Sequence, residues 1–303
     1  MNIKRYLYIT LIFIVLVSLS AVSAADDNAN GIISVDDNDE LILDEAIDDD
    51  VSSANNNYDE ELILETPADD LVGSENDATP LKEGATGSFS DLNKLINEDY
   101  SSNDTITLNS NYKYSEGDES FIHGIKISRE LTIDGNGYTL DGSHIASIFY
   151  VDGAWGVTFK DINFINGNAT GSANERYGGA ISVRYGNGIA ENCNFTNNTA
   201  SGTGGAMHGG SAYNCVFTLN SAEWDGGAMY EGSASNCTFT GNSASVAGGA
   251  MSGGSASNCT FTGNSASVAG GAMYEGSASN CTFTGNSASV AGGAMYEGSA
   301  SNC

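Results

Sequence analysis

Six cysteines, Cys193, Cys215, Cys237, Cys259, Cys281 and Cys303, follow one another at an unbroken interval of 22 residues. The same period carries Gly-Gly-Ala triplets at 204–206, 226–228, 248–250, 270–272 and 292–294. It also carries a phenylalanine column (Phe195, Phe217, Phe239, Phe261, Phe283) and, three residues further on, an asparagine column (Asn198, Asn220, Asn242, Asn264, Asn286). A chain with this self-similarity folds as a solenoid or array, one small unit per period. Asn-Cys-Thr-Phe-Thr alternates polar and apolar residues, the mark of a strand with one buried face. Met251 opens a second short strand after Gly-Gly-Ala, and the stretch around Val246 has room for a third. Helical solenoids need units of about 33 residues or more, and leucine-rich repeats need a leucine pattern missing here. The expected fold is therefore all-β, a parallel β-helix of 22 residues per coil. Copies of one residue then superpose at the strand spacing of about 4.8 Å. Stacked asparagines at a bend can pass amide hydrogen bonds from coil to coil.

Composition narrows the function classes. Thirty-eight glycines and a charged fraction of only 16% argue against helix bundles, because glycine in a helix interior costs about 1 kcal/mol relative to alanine. Acids outnumber bases 39 to 10, and neither Lys nor Arg occurs after Arg184. Phosphate backbones are bound by clustered Lys and Arg, so a nucleic-acid partner is excluded.

Three segments precede the regular repeats. Lys4 and Arg5, the apolar run Tyr6 to Leu19 and Ala21-Val22-Ser23-Ala24 have the anatomy of a secretory signal peptide, residues 1–24. The alternative, an uncleaved anchor, needs about 20 apolar residues, more than this run supplies. No later stretch is apolar enough to span a bilayer, so the expected location is extracellular or cell-surface. Residues 25–80 hold nineteen acids and no Lys or Arg, and such a stretch cannot bury enough apolar surface to offset its chain entropy. It reads as a solvated disordered spacer or a cation-attracting tail. The β-helix is expected over 81–303, with irregular coils at 88–192 and regular repeats at 193–303. Ser90–Asn97 is the best helix candidate, with a serine N-cap, and would cover the open end of the stack. Leu131-Thr132-Ile133 and Ile106-Thr107-Leu108 read as early strands. Ile162-Asn163-Phe164-Ile165-Asn166 fits the Cys-x-Phe-x-x-Asn register with Ile in the cysteine slot. Ile162 to Cys193 spans 31 residues rather than 22, and the excess, around Ala173–Arg176 and Tyr185–Gly188, is expected to protrude as loops. The sequence stops at Cys303 in mid-strand. It reads as a piece of a longer repeat protein, any C-terminal anchor lying outside it.

Gly-Gly-Ala-[Ile/Met] combined with Cys-x-Phe-x-x-Asn-x-Ala resembles the polymorphic outer-membrane protein repeat of chlamydial adhesins. With the signal peptide, the acidic stretch and the segment Leu131 to Gly142, the chain resembles still more the adhesin-like surface proteins of methanogenic archaea. The resemblance covers residues from about 88 to 303. It implies a right-handed, pectin-lyase-like β-helix acting as a surface adhesin. One departure is that chlamydial proteins continue into an outer-membrane barrel.

Several residue sets have chemical potential. An even cysteine count in an exported chain fits disulfides, but parallel Cβ vectors in one column suit a bridge poorly, and a ladder of buried thiols is the favoured reading. Neither Cys-x-x-Cys nor clustered His supports a metal, and no cofactor is expected. Asp134, Asp141, Asp152, Asp161 and Lys160 are the clustered candidates for glycan chemistry, for which two carboxylates about 5–10 Å apart suffice. The plainer reading is that Asp134-Gly135-Asn136-Gly137 and Asp141-Gly142 are turns. A polysaccharide-active enzyme remains the competing class. His123, His144 and His208 stand apart. The residue after each column Met should face outward, giving a stripe of Tyr230, Tyr274 and Tyr296 beside Glu231, Glu275 and Glu297. Such a stripe could pack on sugar faces of glycans or neighbouring cells, or merely brace adjacent strands. Sequons at Asn103, Asn168, Asn194, Asn197, Asn236, Asn258 and Asn280 are potential glycan acceptors, a pattern that Thr-rich strands also produce by chance.

Overall fold

A computed structural model describes residues 84–98 and 105–303. The expected signal peptide, the acidic segment and Asn103 lie outside the described residues. The chain divides into two units, and all the described residues belong to the second, Ser74–Cys303. That unit is a parallel β-solenoid of about ten turns, roughly 22 residues each, with one short helix at its N-terminal side.

One coil explains the rest. Thr238–Thr240, Ser243–Ala244, Met251–Ser252 and Ser255–Ser257 are its strands. Each pairs in parallel with its copy one coil on: Phe239 with Phe261, Ala244 with Ala266, Met251 with Met273, Ala256 with Ala278. Three sheets result among the described residues, of nine, six and fifteen strands. We name them the phenylalanine, serine and methionine faces. The third strand expected near Val246 is displaced to Ser243–Ala244, and Val246 borders only isolated bridges, from Ala247 to Asp225 and to Ala269. The cause is Gly248, whose φ of +65° turns the chain at once.

Corners are made by left-handed residues, at Asn236 (φ 55°), Gly241 (φ 63°) and Gly248 in this coil. The second glycine of each Gly-Gly-Ala has a different job. A Cβ on Gly249 would collide with the Gly271 carbonyl oxygen, so the coils approach there as only glycine permits.

The interior is laid down in ladders. The rings of Phe195, Phe217, Phe239 and Phe261 are fully buried, and successive rings from Phe195 to Phe283 lie 4.7–4.8 Å apart and within 6° of parallel. Asn220, Asn242 and Asn264 are fully buried at the next bend. The Asn242 amide donates to Asn264 Oδ1 (2.9 Å) and to the Phe217 carbonyl (3.0 Å), while its own Oδ1 accepts from Asn220 N (2.9 Å) and Asn220 Nδ2 (3.0 Å). Cys193 to Cys281 are buried and unbridged, and Cys303 is exposed. Their sulfurs accept from the preceding cysteine's N–H, as in Cys215 N to Cys237 Sγ at 3.4 Å.

Upstream the ladder changes register. Ile162 and Phe164 are buried in the cysteine and phenylalanine slots, but the asparagine slot belongs to Gly167, not Asn166. Gly167 N donates to Asn198 Oδ1 at 2.8 Å, whereas Asn166 sits one position earlier at a left-handed corner (φ 53°) and accepts from Asn197 Nδ2. The insert at Ala173–Arg176 is an exposed 3-10 turn. Tyr185–Gly188, expected as a loop, instead stays paired inside the long strand Ile181–Glu191, which runs beside Phe149–Lys160 through three register shifts. The preceding coil carries extra residues of its own, so the two bulges match and the ladder is kept.

The helix runs over Phe89–Asn93 and continues as a wider turn through Glu98. Its cap is Ser88, in a reciprocal box with Asp91, and Ser90 lies inside. The start moves upstream because Phe89 is buried with Leu92 and Ile96 on the end of the core. Asp118, itself buried, fastens the helix by accepting from Phe89 N (3.0 Å), Ser90 N (2.9 Å) and Ser90 Oγ (2.6 Å).

Candidate functional site

The methionine face is the side of the solenoid with chemistry on its exterior. Where Met points inward, the next residue points out, and register places Lys126, Tyr150, Ser182, His208, Tyr230, Ser252, Tyr274 and Tyr296 in one column. Tyr177, just after the insert, stacks on His208 at 4.7 Å, and His208 stacks on Tyr230 at 5.2 Å. Tyr274 and Tyr296 form a second stack at 6.1 Å. Ser252 lies between the two stacks, so the tyrosine stripe is broken at mid-length. Burial lowers the His208 pKa. Burial, then the Glu275 and Glu297 carboxylates, raises that of the Tyr274 hydroxyl. Glu231, Glu275 and Glu297 adopt φ of 51°, 48° and 49°, a region uncommon for residues other than glycine. In the coils that carry His208 and Ser252 the same position is Gly209 or Gly253.

Sequence reasoning missed the irregular end of this face. Trp155 and Tyr185 are each 70% exposed. They sit on the paired bulges of Phe149–Lys160 and Ile181–Glu191, one residue to either side of the Ala154–Gly186 pair. Asn187 Oδ1 accepts from Gly156 N at 2.7 Å and ties the two bulges together. The Arg184 guanidinium carbon lies 4.4 Å from the Tyr150 ring centre, and that of Arg176 lies 4.1 Å from Trp224. Lys126 Nζ meets Asp152 at 2.7 Å. The available signal was the departure from the 22-residue period, since the inserted residues include Tyr185 and Arg176, but a period alone does not say that an insert stays in the sheet.

The acidic candidates serve turns. Asp134 Oδ1 accepts from Asn136 N (2.9 Å), and Asp141 Oδ1 accepts from Ser143 N (2.8 Å) and Asn166 Nδ2 (3.1 Å). Asp161 occupies a left-handed corner with Lys160 Nζ 3.4 Å away. Among the described residues no group of three His, Cys, Asp or Glu is placed to hold a metal ion. A shallow cleft of about 220 Å³ on the serine face, lined by Asn168, Thr170, Thr199, Ser201, Ser221 and Glu223, has a single titratable group. Of the sequon asparagines, Asn197, Asn236, Asn258 and Asn280 are exposed. Asn168 and Asn194 are half-buried and their amides donate to the His144 carbonyl and to Asn163 Oδ1. No described helix is long and apolar enough to cross a membrane.

The chain matches no curated protein and no solved structure. Residues 96–206 match a family model described as "Putative pectate lyase-like adhesive domain". The matched stretch takes in most of the irregular coils and both bulges, and so includes the exposed Trp155 and Tyr185 and the cations Lys126, Arg176 and Arg184.

Proposed function

We propose that this protein is an adhesin-like surface protein, exported through residues 1–24, that displays the outer face of its coil stack for attachment to glycans or neighbouring cells and catalyses no reaction. The observation that carries this reading is the overlap of the adhesive-domain similarity, residues 96–206, with coils whose outward side chains include Trp155, Tyr185, Tyr150 and Arg184. Exposed Tyr and Trp join a large apolar face to a polar tip, which suits contact with sugars. The resemblance of the repeats to those of chlamydial adhesins and of adhesin-like proteins of methanogenic archaea supports the same reading. The tyrosine stripe, the glutamates beside it and glycans on the exposed sequons belong to it as well.

The test is binding by the full chain to a glycan array and to cells. Binding is expected, and its absence on both sinks the proposal. The competing enzymatic reading is tested alongside by assaying uronic-acid polymers and neutral glycans. Chain cleavage by the wild type that disappears on Asp134→Ala, Asp141→Ala or Asp161→Ala would establish catalysis instead.

A further inference from the structure

The two bulged strands concentrate four features that occur together nowhere else among the described residues: two large aromatic side chains left open to water, a guanidinium, and a ring beneath it. Trp155 and Tyr185 are the most exposed large apolar residues of the chain's described part. Their backbones are one residue either side of a paired position, which sets their Cα atoms about 8 Å apart across two adjacent strands. The Asn187 to Gly156 hydrogen bond and the parallel pairing on both sides keep them there. Neither ring fills the core, which beneath these strands is built from Phe, Val, Ile and Ala.

Arg184 supplies the charge. The register shift between Val183 and Tyr185 leaves it without a ladder partner, so it and Tyr185 both lie on the outer side while Val183 packs against the core. Its Nη2 donates to the Asn174 carbonyl at 3.3 Å, and its Nε is buried with no acceptor, which leaves the remaining Nη donors for a ligand. Among the described residues no carboxylate lies within 4 Å of it. The acids that surround it are already engaged, Asp152 by Lys126 at 2.7 Å and Glu175 by the Ser172 N–H at 3.1 Å and by His123 at 3.8 Å. A guanidinium seated over a ring, with Nη donors beyond the single bond to Asn174, is arranged for a two-oxygen anion. Glu130 also lies at this ridge, its carboxylate against Gly156 next to Trp155, while acids further off are screened beyond a Debye length of about 8 Å in physiological salt.

The geometry points to a site for acidic sugar residues on this ridge, in which Trp155 and Tyr185 stack on the pyranose faces and Arg184, steadied by Tyr150, takes the carboxylate or sulfate. This rests on the adhesin reading and narrows it to one place and one ligand class. The tyrosine stripe has glutamates beside it and no Lys or Arg in its coils, so it lacks the complementary charge.

The test is affinity electrophoresis of the full chain through gels containing dextran sulfate, alginate or neutral dextran. Retardation by dextran sulfate or alginate, and not by dextran, is expected, and which of the two acts tells sulfate from carboxylate recognition. Arg184→Gln and Trp155→Ala should each weaken that binding about tenfold or more, as loss of a charge-assisted pair or of a stacking face would. Arg184 also reaches the 173–176 turn, so Arg184→Lys is run beside it; it keeps the charge, loses the fork and should bind several-fold more weakly with an unchanged circular dichroism spectrum. Val290→Ser, which removes another well-exposed apolar side chain but lies in the regular coils, should leave the retardation unchanged. Wild-type retardation in Arg184→Gln or Trp155→Ala, or equal retardation by dextran, overturns the site. A wild type that ignores both anionic polymers yet binds cells or other glycans overturns the site and leaves the adhesin reading standing, whereas binding to nothing overturns both.

Discussion

A buried amide costs free energy unless its hydrogen-bonding capacity is used, and Asn242 uses all of it with both donors and two acceptor sites engaged. Truncation would remove all four bonds at once, leaving Asn220 N without its acceptor and taking one partner each from Asn220 Nδ2, the Phe217 carbonyl and Asn264 Oδ1. Each unsatisfied buried group costs about 1–3 kcal/mol, so Asn242→Ala should lower stability by about 3 kcal/mol or more, read from the shift in a urea unfolding curve. Asn264→Ala should cost a similar amount, because it stands in the same surroundings one coil on. The cysteine ladder behaves differently. Burial pushes the Cys215 thiol up, and the neighbouring Cys215 sulfur, followed by burial, pushes Cys237 up to about 12. Alkylation needs the thiolate, so at pH 8 native, unreduced protein should react at Cys303 alone, and denatured, unreduced protein should titrate six thiols. Near-zero free thiol after denaturation would mean that the ladder is bridged.

At the scale of elements, the helix at the N-terminal side is held by a side chain from elsewhere in the chain. Burial works against the Asp118 carboxylate, but hydrogen bonds from the Ser90 hydroxyl and the Ser115, Phe89 and Ser90 N–H groups outweigh it, and its pKa falls below the usual carboxylate value. A group with a depressed folded pKa stabilises the native state above its unfolded pKa of about 3.9 and loses that contribution as pH falls through the folded value. Asp118→Ala should therefore cost about 1–2 kcal/mol at neutral pH, and the difference from wild type should shrink as pH drops below 4, measured by thermal melts across that range. This anchor was not legible in the sequence, since nothing local links Asp118 to residues 28 and 29 positions away. The strands of the regular coils were legible because polar–apolar alternation and a fixed period name both the buried face and the register. The misassigned third strand, the cap at Ser88 and the Asn166 slot each turned on one residue's corner or contact. Periodicity fixes an element to within a position and leaves the last residue to packing. The bulges carrying Trp155 and Tyr185 were harder still. An insert reads as a loop until one knows that the preceding coil carries a matching one, and the length of that coil is hidden by the degenerate upstream repeat.

Across the whole molecule, a solenoid's stability is close to a sum over coils and their interfaces, because each coil touches only its neighbours. From Asn236 onward the coils are nearly identical, and pairings such as Phe239 with Phe261 and Ala244 with Ala266 join like to like. Removing residues 237–258 would set Cys215 beside the former Cys259 with each ladder intact. The shortened chain should keep its circular dichroism spectrum, lose length along the axis by about 4.8 Å in small-angle scattering, and bind ligands of the irregular coils as before. Removing only residues 237–247, half a period, would set Cys259 out of phase with Cys215, turn Phe261 and Asn264 away from their columns and strand their buried amides without partners. That variant should aggregate or lose the regular coils to proteolysis while the stretch before Cys193 survives. Equal behaviour of the two deletions would mean that matched stacking does not hold this protein together, because only the register distinguishes them.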